Sequence, residues 1–63
     1  MTSEQMNYRA RQAEHLLERY TQLEHELESA GHYEEALEAR RLRLGQEASV
    51  SYWRDRASEP AQI

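Results

Sequence analysis

Cysteine is missing from this chain of 63 residues, so no disulfide staples it and no thiolate can act as a nucleophile or metal ligand. Its redox compartment therefore leaves no trace. Phenylalanine and lysine are missing too, and β-branched residues are few. No apolar run is long enough for a signal peptide or a membrane span, which leads us to expect a cytoplasmic protein with no membrane contact. Gly31, Gly45 and Pro60 are the only backbone breakers. What remains is rich in Glu, Arg, Ala, Leu and Gln, all good helix formers. All eight basic residues are arginine, a side chain suited to carboxylate pairing and interfaces, though genomic base composition explains that usage more readily. The net charge of −4 gives no bulk drive toward nucleic acid or acidic membranes.

Heptad spacing organises the first half. One set is Met6, Ala13, Tyr20 and Leu27, and its expected partner set is Leu16, Leu23 and Ala30. Steps of three and four residues keep both on one stripe of a helix. Arg9 interrupts that stripe, while Ala10 and Leu17 widen it on one flank. Thr2 and Gln5 have the spacing of a capping box. Helix 1 is expected over about 3–30, roughly 40 Å long, with a turn at 31–32. Gly31 ends the helix because glycine alone takes the left-handed cap conformation without steric cost. Glu34 and Glu35 then suit the positive end of a second helix.

The second helix is less clear. Tyr33, Leu37, Leu44 and Ala48 form a sparse stripe with Ala36 beside it, crowded by Arg40 and Arg41. Gly45 costs ~1 kcal/mol relative to alanine in a helix interior. A stop at Leu44 is one reading. Continuation to about residue 57 is preferred, because matched lengths let a hairpin bury its whole seam. Residues 58–63, with Pro60, read as a flexible tail. A chain this short buries only ~60% of its unfolded surface and needs a staple or a partner. The fold expected is all-α: a single-domain antiparallel helical hairpin that dimerises into a four-helix bundle. Its core and dimer seam would be Met6, Ala13, Leu16, Leu17, Tyr20, Leu23 and Leu27 on helix 1, with Tyr33, Leu37 and Leu44 on helix 2.

Charge is segregated. Residues 14–38 hold eight Glu and a single Arg, whereas residues 40–56 hold five Arg against Glu47 and Asp55. Folding at Gly31 makes the turn end acidic and the open end basic and aromatic. Two hairpins with turn ends at opposite poles would set acid beside base. The open end supplies the candidate partner-binding residues Tyr8, Arg9, Arg11, Tyr52, Trp53, Arg54 and Arg56, a composition enriched at interface hot spots.

Catalytic and metal chemistry find little support. His15, His25 and His32 lack ligand spacing, and no Glu-x-x-His pair of the di-metal carboxylate kind is present. No Ser–His–acid pattern is placed together, and two helices offer no cleft for a carboxyl group with a shifted pKa. We therefore expect no catalytic residues, no metal and no cofactor.

The stretch Gly31, His32, Tyr33, Glu34, Glu35, Ala36, Leu37, with Tyr20, Leu23 and Leu27 before it, resembles one tetratricopeptide repeat across residues 20–44. Glu24, Arg40 and Arg43 depart from that family's small, aromatic and alanine positions, and only one copy is present. Tyr33, Glu34, Ala36 and Arg40 are more weakly similar to the helical hairpin of nucleotide-excision-repair subunits. Either resemblance implies protein–protein contact. The function expected is a non-enzymatic interaction module, an adaptor, chaperone or regulator, partnered by itself and by another protein. An RNA-binding bundle using Arg40, Arg43 and Arg54 is the alternative, and nucleic acid is the less favoured partner.

Overall fold

The first helix opens on a capping box. Thr2 is extended (φ −81°, ψ 162°), its hydroxyl accepts from the Gln5 backbone N–H at 3.1 Å, and Gln5 Oε1 accepts from the Thr2 N–H at 2.9 Å. Two orphan donors of the first turn are thereby satisfied. The computed structural model describes residues 1–58, and within them the chain forms two helices, α1 (Ser3–Ser29) and α2 (Tyr33–Ser58). Of the expected tail 58–63, Ser58 is instead the last residue of α2, and the rest, with Pro60, lies outside the described residues.

A Schellman turn joins the helices. Ala30 is the C-cap, Gly31 has φ 81°, the His32 N–H donates to the Leu27 carbonyl at 2.8 Å and the Gly31 N–H to the Glu28 carbonyl at 3.1 Å. A Cβ added at Gly31 would meet nothing within 4 Å, so its cost would lie wholly in the backbone. Gly31→Ala should therefore destabilise the hairpin by about 1–2 kcal/mol, the penalty of a left-handed L-residue, read as a lower thermal midpoint. Glu34 and Glu35 occupy the first turn of α2 and Arg56 its last, each complementing the helix dipole. The second helix passes through Gly45 without a break.

The two helices pack antiparallel along a seam of alternating steps of three and four. On α1 it comprises Met6, Ala10, Ala13, Leu17, Tyr20, Glu24 and Leu27, and on α2 Ala36, Ala39, Arg43, Gln46, Val50, Trp53 and Ala57, each buried or half-buried. The four most buried side chains, between 2% and 5% exposed, are Ala10, Ala13, Ala36 and Ala39. Each alanine withdraws only one methyl from water, so this core is thin. The rod measures 53 × 13 × 12 Å. Its radius of gyration is 14.7 Å, against ~11 Å for a compact chain of this length.

Two sequence expectations need correction. The partner set on α1 is Ala10, Leu17 and Glu24; Leu16, Leu23 and Ala30 are exposed. On α2 the seam avoids Tyr33, Leu37 and Leu44, which are exposed, Tyr33 by 68% and Leu37 by 55%. Small side chains decide this. Alanines on both helices let the backbones approach closely, whereas leucines at those positions would hold them apart.

An ion pair completes the seam. Arg43 Nε donates to Glu24 Oε1 at 2.7 Å, with the two side chains only 20% and 16% exposed, and Arg43 Nη1 reaches Glu47 at 3.4 Å. The Glu24 hydrogen bond pushes the Arg43 pKa further up, with burial working the other way, so the guanidinium stays charged. A charged pair in a seam selects register, since a slipped hairpin would leave each charge facing apolar groups.

Candidate functional site

At about 100° per residue, the helical repeat sorts the side chains beside the seam into two flanks. Glu14 of α1 and Arg54 of α2 form an ion pair, which places their two rows on the same flank. That flank carries Glu28 of α1 and Arg40 of α2, and the exposed Tyr33, Leu37 and Leu44 lie around its α2 edge. The opposite flank carries Leu16 and Leu23 from α1 and Leu42 from α2, all exposed. Antiparallel register brings Leu23 beside Leu42.

On this second flank, at the open end, an arginine–aromatic run is assembled. The Arg9 guanidinium lies 5.3 Å from the Trp53 ring centroid. Trp53 meets Tyr52 edge to face, with centroids 4.9 Å apart and planes at 82°. Arg56 lies 5.1 Å over the Tyr52 ring. Cation–π attraction thus holds both arginines, and no carboxylate among the described residues pairs with either. Beside the run, Met1, Met6, Tyr52, Trp53 and Arg56 line a shallow groove of about 310 Å³.

The seven residues expected at this pole separate. Arg9, Tyr52, Trp53 and Arg56 come together, with Trp53 half-buried in the seam rather than displayed. Arg54 turns to the other flank, toward Glu14. Tyr8 and Arg11 are exposed on the outer side of α1, where the Tyr8 hydroxyl accepts from Gln12 Nε2 at 3.0 Å. Of the arginines considered for an RNA face, Arg43 is engaged by Glu24 and Arg54 by Glu14, leaving Arg40. Leu42 and Gly45 are the flank residues that sequence reasoning passed over. The signal that finds them is the three–four alternation from Ala36 to Ala57, which fixes the outward side of α2.

Among the described residues no three His, Asp or Glu side chains are grouped so as to hold a metal ion, and no helix is long and apolar enough to cross a membrane. Compared with protein families, with characterised proteins and with solved structures, the chain matches none.

Proposed function

We propose that this chain is a non-enzymatic protein–protein interaction module, an adaptor, chaperone or regulator of the cytoplasm, which works by packing helix faces and pairs with itself into an antiparallel four-helix bundle. One observation carries the reading. Nothing larger than alanine is buried among the described residues, while five leucines and three tyrosines are exposed. A folded monomer that kept this distribution would leave much apolar surface of its larger side chains in water. Packing a second hairpin on one flank of the rod covers part of that exposed apolar surface without new secondary structure. The Arg9–Trp53–Tyr52–Arg56 run supports the same reading, since paired arginines and aromatics at one pole suit an acidic protein surface.

Association with a folded partner stabilises by mass action. The midpoint of the thermal transition, followed by circular dichroism, should therefore rise with protein concentration, by several degrees across a hundredfold range. A midpoint independent of concentration would remove the self-association reading.

A further inference from the structure

The geometry points to the flank bearing Leu16, Leu23 and Leu42 as the surface on which a second copy docks, antiparallel, its acidic turn end over the arginine–aromatic run of the first and Gly45 at the crossing point. This rests on the self-association proposed above and names its face, register and polarity.

Three observations converge on that flank. The first is charge. Toward the turn it presents Glu26, Glu35 and Glu38, and toward the open end Arg9 and Arg56. Within the described residues, only Glu38 among these has an ion-pair partner, an exposed contact to Arg41 at 3.9 Å. On the other flank, Glu14 with Arg54 and Glu47 with Arg43 are already matched. A surface acidic at one end and basic at the other is complementary to itself when turned end for end. Docked with turn ends together, it would oppose acid to acid.

The second is glycine. Gly45 lies at the middle of α2, which runs from Tyr33 to Ser58, and on this side of it. A Cβ there would meet nothing within 4 Å, so nothing in the hairpin calls for glycine, and alanine would favour the helix. A two-fold axis near the centre of the rod brings Gly45 close to its own counterpart, where a missing side chain lets backbones approach.

The third is the leucine register. An axis at the centre of the rod, midway between Leu16 and Leu23, lays each over the other in the second copy. The same axis sets Glu35 opposite Arg56 of the second copy. Arg19, near the axis, gains no acidic partner in this arrangement.

The test is sedimentation equilibrium on the full chain, with helix content checked by circular dichroism. Symmetry places two Glu35–Arg56 contacts in each dimer. Glu35→Arg alone and Arg56→Glu alone should each weaken dimerisation about tenfold, since attraction becomes repulsion twice over. The double variant should return to near the parent affinity. Within one chain the two positions are about 30 Å apart along α2, and their helix-dipole losses add rather than cancel. Restoration would therefore come from contact between chains. Gly45→Ala should weaken the dimer while leaving helix content at or above that of the parent. No restoration in the double variant, or a Gly45→Ala dimer as tight as the parent, would overturn the proposed face. A parent dimer broken by Leu37→Glu and indifferent to these changes would move the interface to the other flank and leave self-association standing. A parent chain monomeric throughout would overturn both.

Discussion

Trp53→Ala is expected to cost about 2–3 kcal/mol and to lower the thermal midpoint by more than ten degrees. Full truncation of a buried tryptophan costs ~3–5 kcal/mol, and Trp53 is half-buried. In a domain of this size each kcal/mol moves the midpoint by ~4–8 °C. Trp53 is the largest side chain in the seam, on the same helix as Val50 and Ala57 and facing the open end of α1. It also anchors Arg9 and Tyr52. Truncation should therefore loosen the open end first, with amides near Met6 and Ala10 exchanging faster than those near Leu27. A Trp53→Ala variant as stable as the parent would show that the indole is displayed to solvent or to a partner rather than closing the seam.

The second large effect concerns added volume. Ala39 is 2% exposed and Ala36 3%, the two tightest positions on α2. Ala39→Leu should destabilise the hairpin by about 2 kcal/mol, within the ~1–3 kcal/mol typical of overpacking, although it adds apolar surface. The added carbons have no space unless the helices separate, and separation would stretch the Glu24–Arg43 hydrogen bond and the other alanine layers together. Thermal unfolding of the variant decides. A rise in midpoint would mean that the helices are free to part and that alanine does not set their spacing.

The fold was legible where its signals are local. The capping box at Thr2 and Gln5, the glycine at position 31 and the abundance of Glu, Ala, Leu and Arg specify two helices and the reversal between them without reference to anything distant. Which stripe faces inward was not legible from α1 alone. Counting apolar residues favours Leu16 and Leu23 over Ala10, Leu17 and Glu24, because a glutamate argues against burial until its arginine is seen. That arginine, Arg43, belongs to the other helix, and only the pairing of α1 with α2 reveals it. On α2 the same bias favoured Tyr33, Leu37 and Leu44 over Ala36 and Ala39. The open pole was legible as a composition, arginine beside aromatics. Its division, with Trp53 inward, Arg54 toward Glu14 and Arg9 and Arg56 stacked on rings, depends on a helical phase that composition does not carry.

The hairpin is thus closed by alanines, a few half-buried larger side chains and one ion pair, while five leucines and three tyrosines are left on the outside. Its central consequence is association through those outer faces, and sedimentation equilibrium from low micromolar to near-millimolar concentration measures that directly. The account predicts a mass rising with concentration to a plateau at twice the 7.5 kDa of one chain. A chain that keeps its single mass over the whole range, while folded and melting cooperatively, would contradict it.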